Sequence, residues 1–280
     1  MSPDTFTLVT LTLSFGFGIL GALLGLGGGI FIVPVLTIFL HVPIQYAIGA
    51  SIISVIATSS GAAAAYVRDK ITNIRIAMFL EMGTTTGAIT GAYLSGMVNH
   101  KVLYITFAAI MLYSAVMMFH KRNAELPQHD TSHPWAEKLK LNGEYIDNAL
   151  GHKVEYKTQG VPLGLGMMYV AGVLSGLLGI GNGAFKVMAM DMAMKLPMKV
   201  STATSNFMIG VTAAASAGVY FARGAINPAI AAPVALGVLL GATTGSRIMD
   251  RVRSATLRKI FIPVLLFIAV EMFIKGLGGE

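Results

Sequence analysis

The feature that most constrains this chain is its succession of long apolar stretches. They lie near residues 5–40, 46–66, 74–97, 102–119, 161–194, 201–222, 227–246 and 256–274. A helix needs about 20 apolar residues to cross the hydrocarbon core of a bilayer, and most of these stretches are that long. Only 12% of the residues are charged, against roughly 25% in soluble domains. The sequence therefore predicts an all-α polytopic membrane protein that lies in a lipid bilayer.

An internal repeat appears when the chain is compared with itself at an offset of 154 residues. The match covers most of residues 18–97 and has no gaps, and it joins Ser51 to Ser205, Thr58 to Thr212, Tyr66 to Tyr220, Gly87 to Gly241 and Gly91 to Gly245. A fixed internal period indicates repeated structural units. We therefore predict two homologous transmembrane repeats, residues 1–120 and 161–280, on either side of a polar segment, residues 121–160.

The first apolar stretch of each repeat is too long for one crossing. Residues 5–40 and 161–194 each carry a Gly-rich interruption, and Gly is where a helix unwinds most easily. If each stretch enters the membrane and returns, it adds no net crossing, and each repeat then adds three transmembrane helices. An odd number of crossings inverts the second repeat, so we predict two inverted-topology repeats, each with a Gly-broken, re-entrant first stretch.

The distribution of Lys and Arg over the loops supports this topology. With returning first stretches, 16 of these residues fall on one side of the membrane and 3 on the other; with single crossings they divide 11 to 8. Cytoplasmic loops carry an excess of Lys and Arg, so the uneven division is the expected one. It places residues 121–160 in the cytoplasm and both termini outside.

The segment of residues 121–160 is the only sizeable polar part of the sequence. Asn142-Gly143 favours a type I′ turn, so we predict a small β-hairpin with its turn at these two residues. His120, His129, Asp130 and His133 match no metal-binding spacing that we recognise, and we interpret them as loop residues.

The two Gly-rich breaks are the predicted substrate site. Secondary transporters with inverted repeats bind substrate near the membrane midplane, where broken helices present backbone amides and positive dipole ends that suit an anion. The residues of the breaks that we assign to binding are Gly25, Gly27, Gly28, Gly29, Gly179, Gly181, Asn182 and Gly183. The alternative is that these glycines only allow close helix packing.

The helix after each break is rich in hydroxyl and amide side chains. We assign Ser51, Thr204, Ser205 and Asn206 to the same site, because such groups donate hydrogen bonds to oxyanions without adding charge. The alternative is hydrogen bonding to helix backbones, which is equally common in membranes.

Two charged residues inside apolar stretches are functional candidates, because a charge in the bilayer costs several kcal/mol. Lys186 lies three residues beyond the second break, where it could neutralise a bound anion; alternatively it extends to the interface or pairs with Asp191. Glu81 is the candidate for proton coupling, and its alternative is a carboxylate that faces the nearby loop.

Several classes of function have no support in the sequence. There is no catalytic triad and no Walker loop, so we predict neither an enzyme nor an ATP-driven pump. We also predict no cofactor and no metal. The net charge of +7 indicates cytoplasmic loops of a membrane protein and no nucleic-acid partner.

The sequence resembles the TauE/SafE sulfite exporter family. The resemblance rests on Gly21 to Leu36 with its Gly-Leu-Gly-Gly-Gly-Ile-Phe-Ile-Val-Pro run, on the echo Gly176–Gly183, and on Ala50-Ser51 and Thr202–Ser205. In one respect the chain departs from the family pattern. Its second repeat continues as Phe185-Lys186-Val187-Met188, where the first has Ile32-Val33-Pro34.

The resemblance implies a secondary transporter in a prokaryotic cell (inner) membrane. Its substrates would be small anions such as sulfite, sulfoacetate or another sulfonate, and thiosulfate, and the expected direction is export. A passive anion channel and a transporter of a non-sulfur organic anion stay open as alternatives, as does a homodimer.

Overall fold

The computed structural model describes residues 3–24, 27–120, 131–147, 152–179, 181, 183–248 and 254–278, and it is mostly helical. The first part contains α1 (Pro3–Leu24), α2 (Gly29–Pro34), a π-helical turn (Val35–Phe39), α3 (Ile44–Arg68), α4 (Ile74–Ser95) and α5 (His100–His120). The middle contains α6 (Pro134–Lys138), β1 (Gly143–Asp147) and β2 (His152–Tyr156). The last part contains α7 (Val161–Leu178), α8 (Gly183–Met188), a second π-helical turn (Ala189–Ala193), α9 (Met198–Ala222), α10 (Pro228–Ile248) and α11 (Ser254–Gly278).

Four helices in the described ranges are long and apolar enough to cross a membrane. They are α1 from Asp4 to Leu23, α3, α7 and α10. Their length of 18 to 25 residues matches the thickness of a bilayer core. The chain is therefore a multi-pass helical membrane protein, as its apolar stretches predicted.

The two first stretches have the same local structure. Gly27 and Gly181, which the repeat pairs, have φ angles of +71° and +69°, a left-handed conformation that glycine adopts without strain. The loops after the two π-helical turns also match, because Val42 N donates to Leu36 O at 2.9 Å and Leu196 N donates to Met190 O at 3.0 Å. Residues 154 apart therefore make equivalent backbone contacts.

The helices pack in pairs that the repeat also relates. Helix α1 packs on α10 as α7 packs on α4, and α3 packs on α10 as α9 packs on α4; α3 and α9 also pack on each other, and so do α5 and α11. Tyr66 shows the equivalence in one bond: its hydroxyl donates to Ala22 O at 3.1 Å, and the hydroxyl of Tyr220 donates to Gly176 O at 2.8 Å. The described helices of the two repeats thus pack in equivalent pairs.

Glycines on α4 and α10 let these helices approach their partners closely. A Cβ atom at Gly87 would lie 2.9 Å from Val173 N of α7, and one at Gly241 would lie 3.0 Å from Ile19 N of α1. Small residues at intervals of four allow such backbone contact between membrane helices. For these glycines the close-packing interpretation accounts for the sequence pattern.

We expect Gly91→Val to lower the free energy of unfolding by about 3 kcal/mol, because overpacking costs about 1–3 kcal/mol and the nearest atoms here are backbone. A Cβ at Gly91 would lie 2.8 Å from Leu177 N. Thermal unfolding of the purified protein in detergent measures the effect. Gly218→Val is the matched control, since a Cβ at Gly218 meets nothing within 4 Å. Equal melting temperatures for the two variants would contradict the packing.

Helices α3 and α9 run in opposite directions. Near the start of α3, a Cβ at Gly49 would lie 3.2 Å from Ile226 Cα, beyond the end of α9. In the second half of α3, Ser59 Oγ donates to Asn206 O at 2.6 Å, and after α3 ends Asn73 N donates to Thr204 Oγ1 at 3.1 Å, near the start of α9. The start of each helix therefore lies beside the end of the other.

A small hairpin covers the end of the bundle where α4 begins. Asn73 Nδ2 donates to Leu141 O at 3.0 Å and to the Tyr156 hydroxyl at 2.9 Å, and Gln159 N donates to Met194 O at 3.0 Å. Burial raises the pKa of the Tyr156 phenol, whose oxygen accepts the hydrogen bond from Asn73. The hairpin thereby connects the start of α4 to the segment that follows the second π-helical turn.

The predicted position of the hairpin turn was wrong. Gly143 is the first residue of β1 and pairs with Tyr156, so the strands connect between Asp147 and His152. Asn142 takes part in a different structure, because its Oδ1 accepts a hydrogen bond from Thr158 N at 2.8 Å. An Asn-Gly pair favours a turn only locally, and here tertiary hydrogen bonds determine the conformation.

Candidate functional site

The two Gly-rich breaks meet at Ser51 of α3. Its hydroxyl lies 3.1 Å from Gly29 O and 2.7 Å from Gly179 O, so one donor joins the first break to the second. The equivalent Ser205 Oγ lies 3.3 Å from Gly183 O. Both serines thus contact break carbonyls, as the backbone-bonding alternative expects. Their part in anion binding stays a prediction.

The break glycines pack against apolar side chains of α3 and α9. A Cβ at Gly27 would lie 2.9 Å from Ile209 Cδ1, and one at Gly181 would lie 2.7 Å from Val55 Cγ1. Gly28 N donates to Thr58 Oγ1 at 3.2 Å, so this amide of the first break already has a protein partner. Gly25 and Asn182 lie outside the described residues.

Thr204 and Asn206, the neighbours of Ser205, form their hydrogen bonds with residues outside the two breaks. Thr204 Oγ1 accepts the hydrogen bond from Asn73 N, where the connection between α3 and α4 ends. Asn206 Nδ2 donates to Ala22 O at 3.1 Å, near the end of α1, and its Oδ1 is buried without a hydrogen-bond partner. Because Oδ1 is a hydrogen-bond acceptor, this atom of Asn206 could bind a donor group but not an anion.

Beside the second break lies a chain of three polar side chains from three helices. Lys186 of α8 donates from Nζ to Thr212 Oγ1 of α9, and Thr212 Oγ1 lies 2.6 Å from Glu81 Oε1 of α4. Thr85 Oγ1 also donates to Glu81 Oε1, at 3.0 Å. We call Glu81, Thr212 and Lys186 the polar chain.

The polar chain is buried. Lys186 is 0% exposed and is the only fully buried cation in the described part of the molecule, while Glu81 is 8% exposed. Glu81 therefore packs between helices and does not face the loop that precedes α4. Its second oxygen, Oε2, is buried and has no hydrogen-bond partner. A buried ionised oxygen without a partner is costly, so a proton or a donor group from a ligand would stabilise it.

The equivalent position in the first repeat carries no charge. At the offset of 154 residues, Ile32 takes the place of Lys186 and Ala235 takes the place of Glu81, and only the threonine recurs, as Thr58. Ile32 is buried in the apolar core. Of the two equivalent sets of positions, only one therefore contains a positive and a negative group.

Sequence reasoning named Lys186 and Glu81 separately and did not include Thr212. The signal was present, because Thr212 is matched to Thr58 by the repeat, but nothing in the sequence showed that Thr212 lies between the two charges. Among the described residues, no group of three or more His, Cys, Asp or Glu side chains could hold a metal ion.

Comparison with known proteins gives a consistent result. The pattern of the family described as "Sulfite exporter TauE/SafE" matches residues 10–272. The probable membrane transporter protein YunE of Bacillus subtilis (strain 168) is 28% identical over 267 residues, which cover 93% of this chain and 94% of the relative. The probable membrane transporter protein YdhB of the same organism is 24% identical over 245 residues, or 87% of this chain and 91% of the relative. No solved structure gives a significant match.

Proposed function

This chain belongs to the TauE/SafE sulfite exporter family, and we propose that it is a secondary transporter that exports small sulfur-containing or organic anions. Its substrate class includes sulfite, sulfoacetate or another sulfonate, and thiosulfate. The transporter works in the cytoplasmic membrane of a prokaryotic cell. A binding site beside the two helix breaks receives the anion.

The observation that carries this proposal is the burial of Lys186 next to the second break. A lysine with no exposed surface inside a membrane protein is rare, and such residues usually lie on a substrate or ion pathway. Its ammonium group supplies the positive charge that a desolvated anion needs. The hydroxyl of Thr212 accepts a hydrogen bond from this ammonium group and thereby fixes its position.

Glu81 gives the proposal a coupling mechanism. Its carboxylate is joined to Lys186 through Thr212. An anion that attracts the Lys186 ammonium group therefore weakens the interaction of this group with Thr212 and Glu81. A proton bound at the unpartnered Oε2 of Glu81 would then balance the charge. Anion binding and proton binding become linked through one hydroxyl group.

A flux screen in proteoliposomes tests the proposed function. Vesicles that contain the purified protein should take up radiolabelled sulfite or sulfoacetate with saturation in the millimolar range or below, and a pH gradient should accelerate the uptake. Thiosulfate and a small carboxylate complete the screen. Flux without saturation and without response to the pH gradient would identify a passive channel, and no anion flux at all would reject transport.

The inverted topology is part of the proposal. The antiparallel packing of the equivalent helices α3 and α9 supports it, because equivalent helices of an inverted repeat run in opposite directions. The loop charges support it as well. On this topology the hairpin lies in the cytoplasm.

We expect the thiol of the Trp135→Cys variant to be protected from a membrane-impermeant reagent in intact cells. Trp135 is 49% exposed in the hairpin region, and the chain has no cysteine of its own, so only the new thiol can react. Labelling after permeabilisation is the positive control. Labelling of intact cells at the same rate would place the hairpin outside and overturn the topology.

A further inference from the structure

A cavity of about 590 Å³ lies at the end of the bundle opposite the hairpin. It is bounded by the first π-helical turn and the loop after it, by the start of α5 and by the end of α11. The polar residues that line it are Thr37, His41, Asn99, Lys101, Tyr104 and Lys275. We call it the outer cavity.

The outer cavity is positively charged. Lys101, Lys275 and His41 line it, and no Asp or Glu is among the described residues of its wall. Lys275 is held in place by a hydrogen bond from Nζ to Thr37 O, at 2.6 Å. An ammonium group with one carbonyl partner keeps two further N–H donors for a ligand.

The start of α3 adds a second source of positive potential. Ile44, the first residue of α3, lines the cavity, and the preceding Pro43 provides no side-chain cap for the helix. The first amide groups of a helix have no partners within it and carry partial positive charge, so an uncapped start favours an anion. At α5, by contrast, Asn99 Oδ1 already accepts a hydrogen bond from Lys101 N, at 3.1 Å.

We propose that the outer cavity is a second anion-binding site, which takes an oxyanion group between Lys101, Lys275 and the start of α3. The site is distinct from the polar chain, whose members lie on α4, α8 and α9, and it is connected to the breaks through α3. Ile44 precedes Ser51 by seven residues, so the cavity lies about 10 Å along α3 from the serine that joins the breaks. An anion there is in position to enter or leave the breaks.

Two sources could supply the oxyanion: a free sulfonate from water, or the phosphate of an anionic lipid. The absence of cysteine from the sequence makes a labelling test direct. Gly278 lines the cavity, and a Cβ there meets nothing within 4 Å, so Gly278→Cys fits without rearrangement. The variant is placed in phosphatidylcholine nanodiscs and its thiol is modified by a negatively or a positively charged methanethiosulfonate reagent.

At Gly278→Cys we expect the negatively charged reagent to react faster than the positive one. The ratio of the two rates should exceed the ratio at Trp135→Cys by about threefold or more. Millimolar sulfoacetate should slow the reaction at position 278 and leave position 135 unchanged. Lys101→Gln and Lys275→Gln should each reduce both effects. Because the Lys275 bond to Thr37 could be structural, Lys101→Gln, whose side chain is exposed, provides the decisive variant.

Nanodiscs that contain phosphatidylglycerol separate the two sources. Protection by the lipid but not by sulfoacetate identifies a lipid phosphate in the same oxyanion site, and protection by sulfoacetate identifies a free anion. Equal reagent ratios at positions 278 and 135, with no protection by either anion, would overturn the proposal. The assay needs no transport, so its outcome is independent of the proposed function.

Discussion

Lys186→Met is expected to reduce anion uptake into proteoliposomes by about 10- to 100-fold. The reason is that a hydrogen bond to a charged group contributes about 1.5–3 kcal/mol, and methionine keeps the length of the side chain without its charge. Uptake of radiolabelled sulfite, measured at a fixed pH gradient, gives the effect. Lys138→Met, which removes an exposed cation in α6, is the matched control and should leave uptake unchanged.

A double variant separates function from folding. Removing one member of a buried charged pair destabilises a protein by about 3–5 kcal/mol, whereas replacing both can be neutral. We therefore expect Glu81→Gln combined with Lys186→Met to recover the thermal stability lost in the single lysine variant, without recovering transport. Full transport by the double variant would assign Lys186 a purely structural role.

Glu81→Gln is expected to abolish the acceleration of uptake by a pH gradient while anion exchange across the membrane continues. Glutamine preserves the shape of the side chain and its acceptor for Thr212 and Thr85, but it cannot bind a proton. The measurement compares pH-driven uptake with exchange of labelled for unlabelled sulfite. Glu271→Gln, near the end of α11, is the matched control, because this carboxylate lies outside the polar chain.

The outcome for Glu81→Gln distinguishes two transport mechanisms. Loss of both activities would show that the carboxylate is needed for the anion step itself. Unchanged stimulation by the pH gradient would remove Glu81 from the coupling mechanism, whatever the behaviour of Lys186.

The asymmetry of the two equivalent sites has a functional interpretation. Thr58 bonds to the first break through Gly28, and the equivalent Thr212 bonds to Lys186 and Glu81. The repeat thus supplies the same hydroxyl twice. In the first site it stabilises the break, and in the second it connects two charges. The first site then serves the scaffold, whereas the second, which combines Glu81 of the first repeat with Thr212 and Lys186 of the second, carries the chemistry that we propose.

The sequence predicted the broad fold because its signals are local and strong. Apolar length gave the membrane helices, and the repeat paired residues that occupy equivalent places, such as Tyr66 and Tyr220. The polar chain was not predicted as a unit, because Glu81 and Thr212 are 131 residues apart and only helix packing brings them together. The prediction of the hairpin turn was wrong for a related reason, since Asn142 accepts a hydrogen bond from Thr158, 16 residues away.

The sequence of the hydroxyl-rich helices does not show which acceptor each Ser or Thr hydroxyl uses. Thr58 Oγ1 donates to Ser54 O and Ser54 Oγ to Ser51 O within α3, while Ser51 and Ser59 form bonds between helices. A serine or threonine in a membrane helix has backbone acceptors within reach in every direction. Which acceptor it uses depends on the neighbouring helix, and that neighbour is not encoded in the local sequence.

Equilibrium binding of radiolabelled sulfite to the purified protein measures the role of Lys186 in anion binding without a gradient or a defined orientation in vesicles. The wild-type protein should bind the anion with saturation, and Lys186→Met should raise the dissociation constant by about tenfold or more while Lys138→Met leaves it unchanged. Equal affinity of the wild-type protein and Lys186→Met would show that Lys186 takes no part in anion binding.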